Sequence, residues 1–278
     1  MAGLPRSGST LLKSILFQNP LIYTAPISPV MELMYINNLF FKTNEKYQVY
    51  PSPKSAYSLI NNIPDNYYSN IERPIVIDHS RTWPSNIERI KTYITSEPKI
   101  ICPMRNVLDV LTSYISMIHR NSDQVSFIDE EIAKKNIPIN DDSRCDYLMS
   151  KDGNLRQALD SHKVAYLCDE QDYLLMVDYD DLVNDPEKEV RRIYNFLNIE
   201  YYDHDYYHIE NKTKEDDSNW NLRDMHHVRD TISKISKKPE EVLSEYVLNK
   251  YSKLEYWKDS NNRNCLLYTS DAADEGLG

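Results

Sequence analysis

The eight residues Gly3-Leu4-Pro5-Arg6-Ser7-Gly8-Ser9-Thr10 set two glycines, with four residues between them, directly ahead of an apolar helical pattern. A glycine-bearing turn that opens a helix presents backbone N–H groups and the positive end of the helix dipole, so it can hold phosphate with little side-chain help. Nucleoside triphosphatases with this spacing continue Lys-Ser/Thr, the lysine reaching the outer phosphates and the hydroxyl holding magnesium. Here Ser9 stands where that lysine belongs, and a cation comes earlier, at Arg6. A guanidinium in that place can lie against the bridging oxygen of a group in transfer and neutralise charge on the leaving phosphate. By itself the loop also admits another phosphate-loop transferase, or a structural glycine turn with a solvated arginine.

A second polar pair is Arg105 and Ser113, eight residues apart and so two helical turns along. Arg105 follows the apolar run Lys99 to Met104, and open α/β sheets bind ligands at the carboxyl ends of such strands. A helix-start arginine paired with Asp109 is the structural alternative. His79 closes another apolar run, Pro74-Ile75-Val76-Ile77-Asp78, at what should be the same edge. Arg81 and Trp83 follow it and can flank a ligand, or be a surface arginine and a core tryptophan.

The elements that must position these residues are legible from periodicity. Leu11, Leu12, Ile15 and Leu16 make one apolar helix face, ended by Asn19-Pro20. Ser28-Pro29 suits the start of a second helix through Leu39, either as its cap or with Ser28 touching a substrate. Residues 43 to 70 read as a polar excursion with one short helix. Strands are expected at 75–79, 99–104 and 173–177, with helices after Pro84, Arg105 and Pro186, and this alternation implies a largely parallel sheet. The stretch Lys212 to Asn219 reads as a mobile surface loop.

At 278 residues with a net charge of −11, the chain fits one α/β domain and repels nucleic-acid phosphates, so no nucleic-acid partner is expected. Cys102, Cys145, Cys168 and Cys265 have no metal-ligand or CxxC spacing. No run approaches the roughly 18–20 apolar residues of a membrane span and no signal-peptide pattern is present, so a cytoplasmic protein is expected. Only Met1-Ala2 precede the loop, which points to a truncated first strand, and residues 265–278 read as a non-native tail, leaving a domain of 1–264.

In type and order these segments resemble the sulfotransferase family, which takes its sulfuryl group from 3′-phosphoadenosine 5′-phosphosulfate (PAPS). In that family a Lys or Arg precedes Ser-Gly in the 5′-phosphosulfate loop and two hydroxyl residues follow, as in Pro5-Arg6-Ser7-Gly8-Ser9-Thr10. An Arg with Asn beside it, Asp four residues on and Ser eight residues on grips the donor's 3′-phosphate, and Arg105, Asn106, Asp109 and Ser113 match all four. Tyr179-Asp180-Asp181-Leu182, the helix begun by Pro186, and Phe196-Leu197 resemble the family's scaffold. The likeness covers residues 3 to 260.

The resemblance implies a three-layer α/β, phosphate-loop-like fold with a central, mostly parallel sheet flanked by helices. It implies a donor site of Pro5, Arg6, Ser7, Gly8, Ser9, Thr10, Arg105 and Ser113, with Arg229 or Arg223 from a late basic segment, and 3′-phosphoadenosine 5′-phosphate (PAP) as the product. Positioning and charge stabilisation can suffice for sulfuryl transfer, so no metal is expected, and adjacent His226 and His227 read as surface residues. A hydroxyl acceptor must shed its proton, and cytosolic members use a His in a comparable loop. His79 is the candidate base, although its surroundings lack their Lys-Thr-His context; Asp78 or another carboxylate is the alternative, as is a structural His79. The rival readings are a nucleotide-dependent kinase and an inactive nucleotide-binding remnant.

Overall fold

The computed structural model describes residues 1–213, 215–232 and 237–258; the expected tail lies outside them. In chain order the first elements are α1 (Ser9–Leu16), β1 (Ile22–Ile27), α2 (Val30–Thr43), α3 (Glu45–Val49), α4 (Pro53–Asn61) and α5 (Ile63–Tyr67). Then come β2 (Ile75–His79), α6 (Ile87–Tyr93), β3 (Ile100–Met104), α7 (Val107–Arg120), α8 (Phe127–Lys134), α9 (Asp141–Leu148) and α10 (Asn154–Leu167). The last are β4 (Leu174–Asp178), α11 (Tyr179–Asn184), α12 (Pro186–Leu197) and α13 (Glu245–Tyr251).

Two parallel ladders, β1 with β2 and β3 with β4, form the sheet. Residues 1–4 lie between them. Ala2 and Leu4 donate to the carbonyls of Ile101 and Pro103 at 2.8 and 3.0 Å, while Ser80 donates to Met1 on the other side at 3.2 Å. The lead-in to the glycine loop therefore occupies a strand's slot at the centre of the sheet.

Side chains alternate across this sheet, as a period of two requires. Ala2, Leu4, Ile100, Cys102 and Met104 join a core with α2, α7 and α10. Met1, Ile101 and Val177 point the other way, into a core with Leu12, Ile15 and Leu16 of α1 and Val190 and Ile193 of α12. Helices thus cover both faces, giving the expected three-layer α/β, phosphate-loop-like architecture.

Strand β1 was hidden in the sequence, and three helices, α3, α4 and α5, stand where one short helix was expected. β1 contains Pro26, which cannot donate to a ladder, and among the described residues it pairs with β2 alone, with a register shift between Thr24 and Ile27. Residues 45–67 carry too few buried apolar positions to show a helical period: Ala56 and Ile60 are the buried ones among the three helices.

Pro103 leaves a second gap. Lacking an N–H, it cannot serve the Ala2 carbonyl in the parallel ladder. His162 of α10, fully buried, stands there instead, with Nε2 at 2.7 Å from the Ala2 oxygen and Nδ1 at 2.6 Å from that of Ala158. Burial holds its pKa below the ordinary histidine value against the pull of those two carbonyls. His162→Leu should cost about 1–3 kcal/mol by leaving the Ala2 carbonyl unpaired. Denaturant unfolding measures this, and an unchanged midpoint would show that the ladder does not need the imidazole.

Candidate active site

The loop is shaped by two backbone positions and one ring. Gly8 caps α1 at φ 84°, and no side chain caps the helix, so its first-turn N–H groups face outward. A Cβ at Gly8 would lie 2.7 Å from Cδ2 of Tyr179, the residue that opens α11. Ser7 is buried and its Oγ donates to the Leu4 carbonyl at 2.6 Å, closing the turn from inside. Arg6 also has a left-handed φ, 59°. Its side chain runs across to α7, where Nε donates to Ser113 Oγ at 3.2 Å, while Nη1 donates to the Met225 carbonyl of the late segment.

Arg105 meets the same loop from β3. Its Nη1 donates to the Arg6 carbonyl at 3.1 Å, and its guanidinium lies 4.3 Å from the centre of the Tyr179 ring. Its Nε is buried with no hydrogen-bond partner among the described residues. Asn106 caps α7 by accepting from the N–H groups of Leu108 and Asp109, which sets where Ser113 emerges.

A cavity of about 440 Å³ brings Pro5, Arg6, Gly8, Ser9 and Thr10 together with Arg105, Ser113, His79 and Arg229. Arg81, Tyr114, Arg120 and Tyr179 share its wall. Arg120 lies seven residues beyond Ser113 and so on the same face of α7, a signal the sequence offered. Tyr179 offered none, because its role depends on Gly8 and Arg105, both distant in sequence. Arg223 is turned away, donating to both oxygens of Asp123 at 2.5 and 2.6 Å. Of the two late arginines, only Arg229 reaches the cavity.

His79 is 6% exposed, and among the described residues neither of its ring nitrogens has a hydrogen-bond partner. Burial above all, then the positive charges of Lys13 and Arg81, hold its pKa well below the ordinary value, so the ring stays neutral. Asp78 is differently placed. Its Oδ1 accepts from Trp83 Nε1 at 2.6 Å, and its Oδ2 accepts from Tyr68 Oη at 2.5 Å and from Ser28 Oγ. Burial and the Asp78 charge push the Tyr68 hydroxyl pKa up, so it remains a donor. Ser28, Tyr68 and Trp83 thereby fix the carboxylate next to His79. Pro29 takes the cap position of α2, and Ser28 accepts from the Val30 N–H only at 3.4 Å.

Fold and site together define a phosphate-loop α/β protein whose cavity gathers several arginines beside the neutral His79. The sulfotransferase domain family model matches residues 1–241, and the chain belongs to the sulfotransferase family. A comparison with curated proteins finds no match. Among solved structures, the sulfotransferase domain of the Synechococcus PCC 7002 olefin synthase is 20% identical, with a TM-score of 0.41 and 72% of each chain covered. The sulfotransferase domain from the curacin biosynthetic pathway is 15% identical, with a TM-score of 0.40 and 92% of each chain covered. A sulfotransferase from Alicyclobacillus acidocaldarius is 14% identical, with a TM-score of 0.43, covering 78% of this chain and 85% of that one. Among the described residues, no helix is long and apolar enough to cross a membrane.

Because Gly8 combines a left-handed φ with contact against Tyr179, Gly8→Ala should lower stability by about 1–3 kcal/mol. Thermal unfolding tests this; a melting temperature equal to that of the parent protein would show that the loop tolerates a side chain there.

Proposed function

We propose that the protein transfers the sulfuryl group of PAPS to a hydroxyl acceptor, with residues 1–264 acting as one domain in the cytoplasm. The observation that carries this reading is the single cavity shared by the uncapped loop of α1, the Arg105–Ser113 pair and a neutral His79 whose ring nitrogens have no hydrogen-bond partner among the described residues. Its volume of about 440 Å³ falls within the roughly 300–1,000 Å³ of small-molecule sites.

The N–H groups of the first turn of α1, with Ser9 and Thr10, hold the 5′-phosphosulfate. Arg105 and Ser113 hold the 3′-phosphate. The resemblance suggests Arg6 at the leaving phosphate, but its hydrogen bond to Ser113 turns it toward the 3′-phosphate end, with Arg229 as a further cation on the wall. The acceptor oxygen attacks sulfur with a lone pair as the bond from sulfur to the 5′-phosphate oxygen breaks. That bond's electron pair stays on the phosphate, yielding PAP, and the acceptor proton passes to His79. Asp78 is the weaker candidate for base because three side chains already donate to its carboxylate. A kinase reading would need a lysine where Ser9 stands.

Turnover of sulfur-labelled PAPS over pools of sugar, phenolic, peptide and alkyl hydroxyls tests the reading. Label appearing in an acceptor supports it, and donor binding with no turnover on any pool favours an inactive remnant. His79→Ala should lower kcat by about 10²–10⁴-fold. Since the lowered pKa keeps His79 in its base form as pH falls, kcat/KM should stay level down through the ordinary histidine pKa of about 6.5 and decline only below it. A decline centred at or above that value, or full turnover by His79→Ala, would remove His79 as the base.

A further inference from the structure

The polar stretch from Lys212 to Asn219 hides a buried acid. Glu215 is only 10% exposed, and it lines the cavity. Lys13, three residues beyond Thr10 on α1 and 2% exposed, donates from Nζ to Glu215 Oε1 at 2.6 Å. On the other side, His226 Nε2 lies 2.9 Å from Glu215 Oε2, and His226 Nδ1 lies 2.5 Å from Asp217 Oδ1. The His226 backbone N–H also donates to Asp217 Oδ2 at 3.1 Å.

These four side chains connect the helix of the phosphate loop to the segment 215–229. That segment supplies Trp220, Met225 and Arg229 to the cavity wall, and the Met225 carbonyl accepts from Arg6. Burial pushes the Glu215 carboxyl up, but the His226 hydrogen bond and the Lys13 charge outweigh it and leave the group well below the ordinary carboxylate range. Glu215 is therefore an anion at any working pH, facing a space that must hold a ligand with several negative charges. Without compensation it repels that ligand. Lys13 in turn is stranded in the interior without Glu215, since a buried ammonium needs a counter-ion.

Resting on the donor-site reading above, we infer that Lys13 and His226 are positioning residues. Lys13 neutralises Glu215 toward the bound nucleotide, His226 holds the second carboxylate oxygen, and together they clamp the 215–229 wall onto the phosphate-loop helix. The role is electrostatic, so removing both charges of the Lys13–Glu215 pair should be milder than removing one.

Calorimetric titration with PAP tests this on the parent protein, Lys13→Met, Lys13→Arg and the double variant Lys13→Met/Glu215→Gln. Lys13→Met should weaken PAP binding by about tenfold or more, the scale of one uncompensated charge nearby. Lys13→Arg should keep most of the affinity, and the double variant should recover most of the loss. Should Lys13→Met fail to fold, the double variant, which strands no charge between Lys13 and Glu215, still decides: near-parent affinity supports the inference. Parent-like affinity in Lys13→Met, or a folded double variant that binds at least tenfold more weakly than the parent, overturns it. Failure of the parent protein to bind PAP would instead sink the donor-site reading itself.

Discussion

The backbone hydrogen bonds that Ala2 and Leu4 make to Ile101 and Pro103 are the constraint on which the site depends. The two ladders of the sheet meet through these first residues, and the same residues lead straight into the loop. A shift of this short segment would move Gly8 off Tyr179 and the Arg6 carbonyl off Arg105 together. The surrounding chemistry protects the segment: its side chains divide between two cores, and His162 occupies the place where Pro103 has no N–H to offer.

Charge is distributed against the overall balance. In a chain of net charge −11, Arg6, Arg81, Arg105, Arg120 and Arg229 line one cavity, and the two most engaged are fixed by neutral groups. Arg105 lies over a tyrosine ring and holds a carbonyl; Arg6 is held by a hydroxyl and a carbonyl. Neutral partners orient a guanidinium without cancelling its charge, so both remain able to bind an anion. Glu215 shows the opposite arrangement, a carboxylate on the same wall paired with the Lys13 ammonium on one side and held by His226 on the other.

Much of this was legible in the sequence because the functional segments are short and local. The loop, the spacing from Arg105 to Ser113 and a histidine at the end of β2 each sit within ten residues, and their strand and helix contexts follow from periodicity. What was not legible is made by distant pairs. Glu215 lies in a stretch that looks solvated, and its burial depends on Lys13, 202 residues away. Tyr179 looked like scaffold until Gly8 and Arg105 were seen against it. The three side chains that donate to Asp78, from Ser28, Tyr68 and Trp83, come from separate stretches of chain that only the fold brings together. β1 escaped because Pro26 broke its pattern.

The central claim is that the cavity recognises a nucleotide by its 3′-phosphate. The most direct test compares calorimetric affinities of PAP, adenosine 5′-phosphate and ATP with magnesium, in the parent protein and in Arg105→Gln. PAP should bind at least about tenfold more tightly than adenosine 5′-phosphate, as expected for a charge-assisted contact, and Arg105→Gln should erase most of that difference. Equal affinity for PAP and adenosine 5′-phosphate, or a preference for ATP with magnesium, would contradict the account.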